Sequence, residues 1–277
     1  MSQNCDCNDY SLLTAVTGIA AISTANSSLT GSGSIMPVIT GESKGTLVKS
    51  VIIKATQPVT DGMVRLFVGP DVSHAILYKE IPIPNTPELV QTPTPAPILQ
   101  TFEINLAGGL KLAPSTNLYA STQNGESFNV IAEGLNWTYP ATLPDSCCNY
   151  KQEIAISGHG TVSVANTNTN GSGAIVNIFT ATASTNGAKI TAITIKALQS
   201  TNLGMIRFYV SPDGSTWSLL REVLVPQTEQ SGFQPSFKVV LDECYNLEQG
   251  FSIGASTHIG QSFGISVEGA SWTYPIS

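Results

Sequence analysis

Charge is what this sequence has least of: Asp, Glu, Lys and Arg make up 11% of 277 residues, against about 25% in an ordinary globular protein. The 12 basic residues never gather into a run, and 19 acids outnumber them for a net charge of -7. A nucleic-acid binder needs a basic face that displaces phosphate counterions, so that class of partner is excluded. Long apolar runs are missing too. None reaches the ~18–20 residues of a membrane span, and no membrane partner is predicted. His74, His159 and His258 are the whole supply of histidine. No H-x-H or HxxxH spacing links them, so no histidine metal site is predicted. All three are expected in exposed loops, His159 in a Gly-rich turn. No G-x-S-x-G elbow and no paired acids stand out, and the chain is expected to be no enzyme, with no catalytic residue, cofactor or metal.

Two glycine loops, Gly31-Ser32-Gly33 and Gly171-Ser172-Gly173, lack the lysine of a phosphate loop and precede strand-like segments. They read as turns. The five cysteines are Cys5, Cys7, Cys147, Cys148 and Cys244. C-x-C and adjacent C-C are poor matches to the C-x₂₋₄-C pairs that grip zinc. Free thiols come first among the readings, with a disulfide formed after release from the cell and a metal cluster still open. Near the N-terminus SLLTAVTGIAAI could pass for a signal core. Asp6 and Asp9 stand where such a segment needs positive charge, so it is read as a first strand, and synthesis in the cytoplasm without a signal peptide is expected.

What the sequence does have is a repeat. Gly62-Met63-Val64-Arg65-Leu66-Phe67-Val68 returns as Gly204-Met205-Ile206-Arg207-Phe208-Tyr209-Val210, from residue 62 to residue 204, an offset of 142. The same offset carries Lys54 to Lys196, Pro70-Asp71 to Pro212-Asp213, Glu80 to Glu222 and Pro84 to Pro226. Ala25-Asn26 and the glycine loop return as Ala165-Asn166 and its loop, an offset of 140 from residue 25 to residue 165. Further on, Ala120-Ser121-Thr122 returns as Ala255-Ser256-Thr257, an offset of 135 from residue 120 to residue 255. Trp137-Thr138-Tyr139-Pro140 returns as Trp272-Thr273-Tyr274-Pro275 at that offset. Matches in one order across the whole chain mean an internal duplication. The predicted division is a first domain over 1–140, a linker and entry over 141–149, and a second domain over 150–277. The fall from 142 to 135 puts seven extra residues in Pro84–Ile98 of copy one, where Pro87, Pro93, Pro95 and Pro97 crowd together. Proline at that density favours extended backbone outside any ladder, so a protruding loop is expected, with Pro87, Pro93 and Pro95 as contact residues.

Within each copy the apolar period is two. Val51, Ile53 and Ala55 share a face, as do Ile193, Ile195 and Ala197, and Val64, Leu66 and Val68 alternate with Arg65 and Phe67. Copy one shows eight such runs, near 18–24, 35–40, 48–56, 62–69, 75–83, 99–106, 116–122 and 128–139. Short alternating runs bounded by Gly, Pro, Asn and Asp are strands, and eight per copy predict an all-β fold of two tandem antiparallel β-sandwiches, jelly-roll-like. The repeated Trp137 and Trp272 are read as packing residues rather than a ligand platform. Trp217 has no twin, since Ala75 holds its position, and it becomes the candidate for an exposed contact. Its segment Ser211-Pro212-Asp213-Gly214-Ser215-Thr216-Trp217 is similar to a hairpin of discoidin-like lectin domains, and this keeps a carbohydrate-binding or adhesion module as the alternative function, with a glycan as partner.

Taken together, the run at Gly62–Val68, the Pro70-Asp71 turn, Leu77–Pro84 and Ala120–Phe128, each with a twin in copy two, resembles uncharacterised proteins encoded by bacteriophages and prophages. The resemblance implies a virion component released by lysis, in a decoration, minor capsid or fibre role. The implied partners are other virion proteins and further copies of itself, with a trimer favoured.

Overall fold

The computed structural model describes residues 12–85, 99–138, 152–182, 185–242 and 244–273. In copy one, eight strands form: β1 (Leu12–Ile22), β2 (Met36–Thr40), β3 (Thr46–Ala55), β4 (Gly62–Gly69), β5 (Ile76–Ile83), β6 (Thr101–Leu112), β7 (Asn117–Thr122) and β8 (Phe128–Thr138). Copy two supplies β9 (Gln152–Val162), β10 (Val176–Thr180), β11 (Ala188–Ala197), β12 (Gly204–Ser211) and β13 (Ser218–Val225). It continues with β14 (Lys238–Leu241), β15 (Tyr245–Leu247), β16 (Ser252–Thr257) and β17 (Phe263–Thr273). The segment that could pass for a signal core is β1, paired along its whole length with β8. Among the described residues the sole helical element is the single turn Val72–His74.

Four antiparallel sheets result, in the orders β1-β8-β3-β6, β2-β7-β4-β5, β9-β17-β11-β14 (with β15 also on β11) and β10-β16-β12-β13. The first two face each other as one lobe and the last two as a second. That alternation of strands between facing sheets is the double Greek key of a jelly roll, made twice. Even the irregularities are duplicated. Bulges fall at Pro37/Ile39 and Asn177/Phe179, at Val48/Ser50 and Ile190/Ala192, and at Leu66/Phe67 and Phe208/Tyr209. A bulge turns every later side chain to the opposite face, so it must be kept for the alternating pattern to stay in register. One feature is not shared: the strand answering β6 is broken into β14 and β15.

Each lobe has its own core. Val51, Ile53, Val64, Leu66, Leu118, Phe128 and Val130 close the first, and Ile193, Ile195, Ile206, Phe208, Ile253, Phe263 and Ile265 the second. Full burial of one such side chain is worth about 1.5–3 kcal/mol, so the period-two faces are what select this register. Two expectations change. Strand β4 is buried at all eight positions rather than on alternate ones, because Arg65 and Phe67 face outward into further structure. His159 stands within β9 opposite Ser266, not in an exposed turn. Gly158 and Gly160 flank it because Ile178 and Phe179 of β10 pass too close for a side chain there. Both its ring nitrogens are buried without a hydrogen-bond partner, and burial lowers its pKa to about 4.

Candidate functional site

The outward face of β4 begins with a loop motif repeated in both lobes. Asn26 donates from Nδ2 to the carbonyls of Ser32 (2.9 Å) and Ser34 (3.0 Å), and accepts from the Ser28 amide at 2.9 Å. Asn166 does the same with Ser172, Ala174 and Asn168. The loop closes so tightly on the amide that a Cβ on Gly33, whose φ is +82°, would lie 2.8 Å from Asn26 Oδ1. The glycine loops are therefore structural turns. Their backbone in turn anchors an arginine: Arg65 Nη1 donates to the Asn26 carbonyl at 3.0 Å, and Arg207 Nη1 to that of Asn166 at 2.8 Å. Each arginine also pairs through Nε with the glutamate opposite it on the neighbouring strand, Arg65 with Glu80 at 3.2 Å and Arg207 with Glu222 at 2.8 Å.

From here the lobes differ. The Glu80 side chain is 0% exposed and that of Glu222 37%. Glu80 is enclosed because lobe two sits on it: Lys196 Nζ lies 2.9 Å from Oε2, and the Ser236 amide donates to the same oxygen at 2.9 Å. Burial works to raise the Glu80 pKa, but Lys196, the Ser236 amide and Arg65 outweigh it and hold the carboxyl below its ordinary value. Round this ion network Ile35, Phe67, Ala75, Leu77 and Tyr119 of lobe one form an apolar cluster with Leu198 of lobe two. Gly264 keeps β17 low enough for Ile76 to approach, with ordinary van der Waals space for no more than a Cβ. Polar ties complete the contact: the Ala155 amide to the Lys44 carbonyl (3.0 Å), Thr116 Oγ1 with Ser157 Oγ (3.2 Å), and the Lys111 amide to Glu268 Oε2 (2.9 Å). Lobe one thus docks the outer face of its β2-β7-β4-β5 sheet and the β5–β6 edge onto the outer face of β9, β11 and β17.

The sequence-predicted contact residues are placed as follows. Trp217 is half-buried, and its ring lies over Gly254, where a Cβ would come within 2.7 Å of it. Asp213 in the same hairpin is committed to the turn: it accepts from the Ser215 and Thr216 amides and from the hydroxyls of Thr216 and Ser211. Those bonds, the Thr216 amide first, hold its carboxyl far below the usual range. Pro87, Pro93 and Pro95 lie outside the described residues, as do Cys5, Cys7, Cys147, Cys148 and the linker 141–149, while Cys244 is exposed. His74 is exposed and hydrogen-bonded to Asp71, and His258 is half-buried in a turn. Trp137 and Trp272 pack on Gly45 and Gly187 at the starts of β3 and β11.

The interlobe network was not singled out from sequence. Its signal was present, since Lys54/Lys196 and Glu80/Glu222 are charged residues repeated at one offset in a chain with little charge. That one glutamate and one lysine of different copies meet is a property of the docking, which no single copy encodes.

No protein-family model matches the sequence, and comparison with curated proteins finds no match. Among solved structures the chain is similar to the STIV MCP, with a TM-score of 0.33 and 10% identity over 96% of this chain and 97% of that one. It is similar to PBCV-1 VP54, with a TM-score of 0.26 and 8% identity over 98% of each chain. It is also similar to the CBM22-1-CBM22-2 tandem domain of Paenibacillus barcinonensis Xyn10C, with a TM-score of 0.25 and 6% identity over 94% of this chain and 93% of that one. At these scores the likenesses are too distant to bear on function.

Proposed function

We propose that this chain is a bacteriophage virion structural protein, a capsid-associated component in a decoration, minor capsid or fibre role, that assembles with itself by repeating between molecules the contact its two lobes make within one. One observation carries this reading: the docking face of lobe one has a duplicate on lobe two that nothing covers among the described residues. Leu219, Leu220 and Leu224 of β13 are exposed there, where β5 is buried. The receiving face is duplicated as well. Lobe one presents the outer side of β1, β3 and β8, with Leu13 and Ile19 of β1 exposed and Lys54 half-buried at the position that Lys196 holds in lobe two. A chain with one free plug and one free socket of the same kind associates head to tail. Such a contact closes into a ring or runs on as a filament. Three chains bring six similar lobes round one axis, and a trimer is the assembly we favour; the filament is the fibre variant. The units of assembly are residues 1–140 and 150–277, joined by 141–149, and other virion proteins are the remaining partners.

The test is light scattering on the purified chain at micromolar concentration. A trimer is expected, each contact burying over ~1,000 Å². Glu222 of one copy meets Lys54 of the next in this arrangement, so Glu222→Lys disperses the assembly and the pair Glu222→Lys with Lys54→Glu restores it. A strict monomer, or an oligomer indifferent to both changes, refutes the self-assembly reading.

A further inference from the structure

A second feature of the lobe contact concerns a small ligand. Between β5 and β6 of lobe one and β11, β14 and β17 of lobe two lies a cleft of about 360 Å³. The chain has nine lysines, and three of them, Lys79, Lys111 and Lys238, line it. Lys79 comes from β5, Lys111 from β6 and Lys238 from β14, so the docking of the lobes is what gathers them. Among the described residues none of the three ammonium groups is paired with a carboxylate. Lys111 Nζ donates to the Thr191 hydroxyl at 3.0 Å, and Lys238 Nζ sits 3.9 Å from the centre of the Tyr78 ring. Lys196 faces the same region but is held by Glu80. On the acidic side, Glu268 accepts the Lys111 amide, and Asp242 is exposed at the mouth.

Like charges brought together and partly stripped of water are costly unless a counter-charge joins them. Here the protein supplies too little. Burial first, then the neighbouring charges of Lys79 and Lys196, lower the Lys238 pKa to about 7, and burial raises that of Glu268 to about 7. Glu268 works against the Lys238 shift, and Lys111 and Lys238 work against that of Glu268, but burial prevails over both. Lysines act on oxyanions as point charges with rotatable donors, and three round one cavity suit a compact anion of more than one charge. Gly108, with open space where its Cβ would be, leaves the mouth clear.

We propose that this cleft binds a tetrahedral dianion, phosphate or sulfate, free or as the end of an ester, held by Lys79, Lys111 and Lys238 across the two lobes. The inference is independent of self-assembly, because the cleft lies inside one chain. Binding weakens as pH rises through the range near 7, where Lys238 loses its proton and Glu268 gains its charge.

The experiment is thermal unfolding of the full chain with sulfate, whose charge is fixed over this range, titrated against chloride at constant ionic strength. Sulfate is expected to raise the midpoint saturably at about pH 6 and much less at about pH 8. Lys238→Met and, separately, Lys111→Met weaken the apparent affinity about tenfold or more, while Lys189→Met, on the exposed side of β11, leaves it unchanged. Without anion, Lys238→Met melts no lower than the parent, since it removes a half-buried ammonium that no carboxylate among the described residues pairs with. Inorganic phosphate against a simple phosphate monoester then tells a free anion from an esterified one. A midpoint that responds to sulfate no more than to chloride, a sulfate response kept in both methionine variants, or a Lys238→Met protein much less stable than the parent overturns the proposal.

Discussion

Strand β5 of the first lobe is buried at nearly every position, and its duplicate β13 in the second lobe is exposed at most of them. The two are equivalent in register, in the bulge opposite the arginine strand and in the Arg–Glu pair that crosses to it. Nothing local distinguishes Glu80 from Glu222. What differs is the neighbour: lobe two covers the first and leaves the second free. Burial at this face is therefore set by docking rather than by strand sequence. A duplicated chain that uses one copy of a surface internally carries the other as an unspent contact.

The largest expected effect tests that contrast. Glu80→Ala leaves Arg65 and Lys196 buried without their shared partner and is expected to cost about 3–5 kcal/mol. Glu222→Ala, measured in dilute solution where the chains are separate, is expected to cost about 0–1 kcal/mol, as exposed pairs do. Urea denaturation of the two variants decides it, and equal losses would break the comparison. Next comes Glu268, at the lobe contact, against its duplicate Glu133 on the exposed side of β8. The folded-state pKa of Glu268 is raised, chiefly by burial, to about 7. The folded chain thus holds a proton that the unfolded chain gives up near 4.5, and stability from this group is present below that value and lost as pH rises through 7. Glu268→Gln is expected to match the parent near pH 4 and to exceed it by about 2–3 kcal/mol above pH 8. Denaturant midpoints of the parent and Glu268→Gln across that range decide it.

Most of the fold was legible because the jelly roll writes itself in period-two faces and turn residues. All eight runs read in copy one are strands, and the repeat carried them into copy two. The misreadings have one cause. Period-two alternation predicts one wet face, which puts Phe67 and Arg65 at the surface, and the glycines flanking His159 predict a turn. In each case a second layer, the Asn26 loop or the other lobe, lies over the outward face, and no pattern within a strand reports what lies on top of it. The lysine cleft was invisible for the same reason. Lys238 is paired in register with Lys196, whereas the corresponding place in copy one is held by Thr101 opposite Lys54, so no repeat marked it.

A smaller effect separates what belongs to each lobe from what belongs to their contact. Asn26 and Asn166 organise their glycine loops with the same bonds, inside their own lobes. Asn26→Ala and Asn166→Ala are expected to lose similar amounts, about 1–2 kcal/mol each, through the carbonyls left unpaired. A loss confined to Asn26 in thermal unfolding would mean that its loop also serves the docking.

The smallest effect concerns the residue that has no duplicate. Trp217 stands where lobe one has Ala75, which is buried in the lobe contact. Among the described residues lobe two receives no neighbour from lobe one at that place, and the larger side chain covers Gly254 itself. On this account Trp217 is a cap over its own sheet, and Trp217→Ala should cost about 1 kcal/mol, lowering the melting temperature by a few degrees. A sugar-stacking tryptophan behaves otherwise: it stands exposed, and its loss abolishes binding while stability stays level. Asp213, which would have to reach a sugar hydroxyl beside it, already spends its oxygens on four donors of its own turn. Neither the parent nor Trp217→Ala is therefore expected to bind on a glycan array. A glycan bound by the parent and lost in the variant, at an unchanged melting temperature, would reverse the ranking of assembly over adhesion.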